Sequence, residues 1–207
     1  MPRLPVIAAA FIAIAAISAI AVSAVYVIEG ARRNVVAPGP RSPAGDAERP
    51  GPDARIAAFV VHAGPRDVAP VSFMSEDGVE ATLESWRGRT VLVNLWATWC
   101  GPCRQEMPAL DRLQARLGGD RFEVVAISLD RGGIAKSRKF FDDIGIENLK
   151  LYSDETLKVS AALGVIGMPT TLLIDRDGRE IGRLAGPAEW DSPEAVEMIT
   201  RLAGVGS

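Results

Sequence analysis

The residues with the most chemistry to offer are Cys100 and Cys103, the only two cysteines of the chain. They lie in the stretch Val91-Leu-Val-Asn94-Leu-Trp96-Ala-Thr-Trp99-Cys100-Gly101-Pro102-Cys103-Arg-Gln-Glu106-Met-Pro108. Two thiols with two residues between them can close a disulfide and reopen it, provided one sulfur is a good nucleophile and the other can reach it. The apolar, β-branched run before the motif reads as a buried strand. Pro102 fits the first turn of a helix, where its missing N–H costs nothing. A helix starting near Cys100 aims its free backbone N–H groups and its positive dipole end at the first sulfur, which favours the thiolate. Cys103 then lies about one turn further in, placed to attack Cys100 in a mixed disulfide. Other readings of the pair fit less well. A structural zinc site needs four ligands, and the chain adds only one distant histidine, His62. A purely structural disulfide across so short a loop would constrain the unfolded chain little.

Composition narrows the function classes further. The chain has 207 residues, enough for one domain plus extras, and a formal net charge of −3. Nothing in that balance suggests a nucleic-acid surface. With both cysteines in the motif, the fold must be held by its core alone.

The elements that position the motif can be read in order. Val6 to Ile28 runs 23 residues without a charge, long enough to cross a bilayer as a helix. A cleaved signal peptide is the alternative, but signal-peptide apolar cores are usually about 7–15 residues. An uncleaved anchor over 1–29 is therefore expected. Residues 30–52 are rich in Pro, Gly and Arg without apolar periodicity and read as an extended tether, or simply as a spacer. From Asp53, a possible cap, to His62, the residues Ile56, Phe59 and Val60 are spaced like one face of a short helix. His62 has no ligand set around it and reads as a surface or helix-end residue. Short strands are expected over Val71 to Met74 and Val79 to Ala81, around the turn Glu76-Asp77-Gly78. A short helix follows from Thr82 to Gly88, and the central strand runs from Arg89 to Trp96. The active-site helix spans Gly101 to Leu117, with a kink expected at Pro108. Further strands are expected at Phe122 to Leu129, Leu149 to Tyr152, Thr171 to Asp175 and Arg179 to Leu184. Helices are expected at Ile134 to Ile144, Thr156 to Leu163 and from Ser192, a cap followed by Pro193, to about Ala203. Alternating strands and helices followed by a hairpin and a helix give an α/β domain, a mixed sheet with helices on both faces.

Trp99-Cys100-Gly101-Pro102-Cys103 after a hydrophobic strand resembles the active site of thioredoxin-like proteins. Gly164-Val-Ile-Gly167-Met168-Pro169-Thr170 resembles that family's second signature. There the proline is cis and lies against the cysteines; an ordinary strand-start proline is the alternative. The resemblance implies that Cys100 attacks a substrate disulfide and that Cys103 resolves the mixed disulfide. It implies that Met168 and Pro169 hold an extended substrate segment and that Trp99 shields the sulfur, with Gly101 and Pro102 completing the substrate-binding surface. Gly186 matches a glycine near the family's docking groove. Many thioredoxins carry a buried aspartate where this chain has Asn94, and an asparagine cannot act as that base. Glu106, three residues after Cys103, is the nearest carboxylate on the helix. It is either the acid that related membrane-linked proteins carry there or a solvated helix residue.

The segment of about 132–152 has no counterpart in a minimal thioredoxin and resembles the strand-helix insert of the TlpA/ResA-like family. Asn94-Leu-Trp-Ala-Thr-Trp-Cys100, Glu106-Met-Pro-Ala-Leu110, Ser128-Leu-Asp-Arg-Gly-Gly133 and Gly186-Pro-Ala-Glu-Trp-Asp-Ser-Pro193 bring the chain closest to the TlpA branch. The thioredoxin-like domain is then expected over 53–207, with its core at 71–203. The resemblance implies a membrane-anchored thiol-disulfide oxidoreductase of the bacterial inner membrane, single-pass, with its catalytic domain in the periplasm. Counted literally, Arg32 and Arg33 after the span against Arg3 before it favour the opposite orientation. It also implies a reductant of cysteine pairs in cytochrome oxidase copper-site assembly. The alternatives are c-type cytochrome maturation and a non-enzymatic Sco-like copper carrier. Thr170, where the cytochrome-c branch commonly has glutamate, points to the copper branch. The Gly-Pro dipeptide is that of reducing thioredoxins, with potentials near about −270 mV against about −120 mV for oxidants such as DsbA. The expected partners are proteins with oxidised cysteine pairs and a membrane thiol-reductant donor. No metal and no cofactor beyond the redox-active disulfide is expected.

Overall fold

The computed structural model describes residue 56 and residues 58–205. The expected anchor over 1–29, the tether over 30–52 and the cap at Asp53 lie outside the described residues. Among the described residues, no helix is long and apolar enough to cross a membrane.

The described residues build one eight-stranded sheet. Its strands are β1 (Val60–Asp67), β2 (Ser72–Ser75), β3 (Glu80–Thr82), β4 (Thr90–Trp96), β5 (Phe122–Ser128), β6 (Leu151–Ser153), β7 (Thr170–Ile174) and β8 (Arg179–Ala185). The helices are α1 (Gly101–Leu117), α2 (Ile134–Ile144), α3 (Lys158–Ala162) and α4 (Pro193–Ala203), with a 3₁₀ turn at Leu83–Trp86. Across the sheet the order is β1-β8-β7-β4-β5-β6-β2-β3. β4 sits in the middle, parallel to β5 and antiparallel to β7.

All seven residues of β4 are buried, and so are all seven of β5. Both read as near-continuous apolar runs because both faces of the sheet are covered. Side chains alternate between two cores. Leu92 and Trp96 join Val124, Ala126 and Leu173 under α1, α2 and α4. Val91, Val93 and Leu95 join Val125, Ile127, Leu172 and Ile174 on the opposite face, with Phe73, Trp86 and Val159 of α3. The two-residue period puts Asn94 on the same face as Leu92 and Trp96, beneath α1. That parity positions the site.

α1 runs unbroken through Pro108. Ser192 caps α4 by accepting from the Ala195 N–H at 3.2 Å, with Pro193 in the first turn. The small strands β2 and β3 fall one residue later than expected from sequence.

Two readings need correction. Of the segment expected to be a helix up to His62, Val60 to His62 open the edge strand β1, paired antiparallel to β8 with an irregularity between Val61 and Arg66. Its residues are mostly exposed, so it lacks the period-two alternation of a half-buried strand. Pairing with β8 and the burial of Phe59 decide its form. A Cβ on Gly182 of β8 would come within 2.5 Å of the Phe59 ring, so the glycine lets that ring lie on the sheet. His62 is not a surface residue. Its side chain is 2% exposed, and Nε2 lies 2.7 Å from Glu180 Oε1, which Arg183 also pairs.

Candidate active site

β4 delivers the chain to the cysteine turn, and Asp130 just beyond β5 fixes the turn's path. The Thr98 N–H and Oγ1–H both donate to the Asp130 carboxylate at 2.7 Å. Ser128 and Ser137 lie behind it at 3.1 and 3.3 Å and 2.6 Å from each other, so one hydroxyl donates to the carboxylate and the other to its neighbour, and Lys136 Nζ approaches at 3.1 Å. Burial pushes this carboxyl up, but the Thr98 and Lys136 bonds outweigh burial and hold it below the usual aspartate range.

Cys100 is the N-cap of α1, and its Sγ accepts from the Cys103 N–H at 3.3 Å. Cys100 and Cys103 are joined in a disulfide. Cys100 is 7% exposed and Cys103 0%, so an outside disulfide can reach only the first sulfur. Gly101 and Pro102 are exposed beside it. Trp99, next to Cys100 in the chain, is 65% exposed, and Ile166, three residues before the cis-proline Pro169, is fully exposed.

The Met168–Pro169 peptide bond is cis. Leu95 of β4 pairs with Thr170 of β7, so Pro169 stands at the end of the sheet from which the cysteine turn emerges. Pro169 is buried and Met168 half-buried against both cores. Thr170 is also buried and turns its hydroxyl onto Gly167 O at 2.7 Å. Gly186, at φ +123°, donates its N–H to Pro169 O at 2.8 Å.

Glu106 is 3% exposed on the inner side of α1, which rules out the solvated alternative. Three donors reach it: Asn94 Nδ2 at 2.8 Å on Oε1, and the Ala188 N–H at 3.2 Å and Trp190 Nε1 at 3.1 Å on Oε2. Burial outweighs these bonds and raises its pKa to about 7. A carboxyl with that value exchanges protons near neutrality. Asn94 Nδ2 also donates to Thr171 Oγ1 at 3.0 Å, a hydroxyl that could equally donate to Oδ1 if the amide turned. An aspartate at position 94 would set a second carboxylate against Glu106. Here the strand supplies the neutral amide and the helix supplies the acid.

The residues that sequence reasoning missed are Asp130, Thr171, Ala188 and Trp190. Asp130 and Trp190 stand in the quoted motifs Ser128-Leu-Asp-Arg-Gly-Gly133 and Gly186-Pro-Ala-Glu-Trp-Asp-Ser-Pro193, but nothing local shows that either one meets the site. No group of three or more potential metal ligands occurs among the described residues.

A thioredoxin-like α/β sheet that carries a Cys-x-x-Cys disulfide at a helix start and a cis-proline at the same sheet end defines the class: a dithiol redox protein. The chain belongs to the Redoxin family, whose model matches residues 52–199. It is 31% identical over 110 residues to the thiol-disulfide oxidoreductase ResA of Bacillus thuringiensis (strain Al Hakam), covering 53% of this chain and 62% of that relative. The ResA of Halalkalibacterium halodurans is 30% identical over 132 residues, covering 62% of this chain and 74% of the relative. The chain thus spans less than two thirds of the length of the Bacillus relative. Among solved structures, a thioredoxin-family thiol:disulfide interchange protein from Chlorobium tepidum TLS matches at 28% identity with a TM-score of 0.54, covering 66% of this chain and 97% of that one. An exposed lipoprotein thioredoxin from Streptococcus pneumoniae TIGR4, at 24% identity and TM-score 0.54, covers 63% of this chain and 99% of its own and shares the fold.

Proposed function

We propose that this protein is a thiol-disulfide oxidoreductase that works as a reductant of cysteine pairs in other proteins. The observation that carries the reading is a disulfide with one reachable sulfur at a helix start, beside a buried carboxyl whose pKa burial raises to about 7. In the reduced protein the Cys100 thiolate attacks a substrate disulfide, forming a mixed disulfide and releasing one substrate thiolate. Cys103 passes its proton to Glu106 and attacks Cys100 Sγ. The Cys100–Cys103 disulfide closes, and the second substrate sulfur leaves as a thiolate. The substrate is oxidised disulfide at the start and reduced dithiol at the end; a membrane thiol donor returns two electrons to the enzyme. Met168 and Pro169 hold the substrate strand, and Trp99 and Ile166 give its apolar residues a surface.

The finer assignment is a protein held in the bacterial inner membrane by residues 1–29, with its domain in the periplasm. There it keeps the cysteine pair of a cytochrome oxidase copper site reduced. Thr170 after Pro169 supports this branch. His62, on the edge strand β1, is committed to Glu180 of β8 and is not free to bind copper.

The test is trapping with the full-length Cys103→Ser chain in its native membrane. A copper-site protein captured through Cys100 is the expected outcome. Capture of a haem-binding Cys-x-x-Cys-His segment instead would move the assignment to c-type cytochrome maturation. Stoichiometric copper(I) binding by the reduced chain, with no reductase activity, would overturn the reading.

A further inference from the structure

The segment Gly186 to Trp190, between β8 and α4, touches both halves of the site. At one end the Gly186 N–H donates to Pro169 O. Two residues on, the Ala188 N–H reaches Glu106 Oε2, and at the far end Trp190 Nε1–H reaches the same oxygen. Trp190 is 0% exposed and meets Phe59 edge-on, with ring centroids 6.4 Å apart and an 89° interplanar angle. A buried indole N–H is stabilised by an acceptor, and this one finds a carboxylate, whereas the buried Trp96 Nε1 finds none.

An amide N–H and an indole N–H can only donate. Glu106 Oε2 faces both and has no acceptor there for a proton of its own. The other oxygen faces Asn94, whose Oδ1 is buried without a partner. An amide can turn, giving Nδ2–H to a carboxylate or Oδ1 to a carboxylic O–H. Asn94 therefore suits both protonation states of Oε1, whereas the loop suits only an unprotonated Oε2. No charged side chain contributes to Glu106's proton affinity, which burial and these three neutral donors set between them.

We infer that Trp190 is a positioning residue for Glu106: with the Ala188 amide it keeps Oε2 a permanent acceptor and makes Oε1 the atom that takes up and releases the proton. Gly186 ties this cradle to the Pro169 substrate seat. The effect on turnover rests on the proposed role of Glu106; the effect on Glu106 itself does not.

The test is a carboxyl ¹³C titration of the glutamate-labelled full-length chain in detergent micelles, with Glu106 identified by the signal lost in Glu106→Gln. Trp190→Phe keeps a buried ring and removes the donor. The Glu106 midpoint should rise by about one unit, the worth of a hydrogen bond to a charged group. A midpoint that is unchanged or lowered overturns the inference. Should Trp190→Phe fail to fold, replacement by 3-benzothienylalanine, which keeps the indole shape without the N–H, decides the same question. In parallel, the pH profile of mixed-disulfide resolution should move with the titration, and Trp190→Phe should add nothing in a Glu106→Gln background. A titration that moves while the resolution profile stays still upholds the cradle and removes Glu106 from the resolving step.

Discussion

Two buried carboxylates flank the cysteine turn, and the protein treats them in opposite ways. Asp130 is 0% exposed and Glu106 is 3% exposed, yet Glu106 lies deeper among protein atoms and loses more solvation. Asp130 collects four donors, one of them the Lys136 ammonium, and is held below the ordinary aspartate range. Glu106 has three donors, none of them charged, and rises to about 7. Deeper burial at Glu106, and more donors including a cation at Asp130, decide the outcome together. Asp130 becomes a permanently charged peg that holds Thr98, two residues before Cys100. Glu106 becomes a group that can change charge during a reaction.

The largest effect should come from pulling out the peg. Asp130→Ala leaves the Thr98 amide and buried hydroxyls without their acceptor and should cost roughly 4 kcal/mol in urea unfolding at neutral pH. Because Asp130 is lowered from 3.8, its contribution is present above that value and fades as pH falls through its folded value. Wild type and variant should therefore converge only in strong acid. A loss below about 1 kcal/mol would make Asp130 peripheral to the fold.

The second effect has the opposite sign. Glu106 is raised from 4.5 to about 7, so the folded protein binds more protons than the unfolded chain across that window. Its contribution is full below pH 4.5 and is lost as pH rises through about 7, roughly 3 kcal/mol in all. Glu106→Gln should flatten this part of the stability profile. Parallel profiles for the two proteins between about pH 5 and 8 would show that Glu106 titrates as an ordinary carboxylate.

A smaller effect is expected from Asn94→Leu, which keeps the volume and removes the donor on Oε1. The Glu106 midpoint should climb by about one further unit, read by the pH dependence of mixed-disulfide resolution. A downward shift would mean that Asn94 does not act by stabilising the charged form. The smallest effect belongs to Lys136→Ala. Lys136 is 52% exposed, so its pairing with Asp130 should be worth less than about 1 kcal/mol. A larger loss would show that the cation, rather than Thr98, keeps Asp130 ionised.

Sequence by itself determined the parts of this protein that depend on near neighbours in the chain. The cysteine spacing, Pro102 in the first turn and the apolar run ahead of it specify the strand, turn and helix that present the dithiol. It was the structure's burial pattern, alternating with a two-residue period along β4, that placed Asn94 with Leu92 and Trp96. The caps at Cys100 and Ser192 are local hydrogen-bond chemistry and could be read directly. β1 could not, because an exposed edge strand carries no alternation of its own and takes its form from β8 and Phe59. Tertiary structure alone decided the environment of the carboxylates. Glu106 is 12 residues from Asn94 and 84 from Trp190, and Asp130 is 32 from Thr98. Proton affinity depends on desolvation and on donors brought in from distant segments. The same residue type at the same helical position is a solvated side chain or a proton acceptor according to what folds over it.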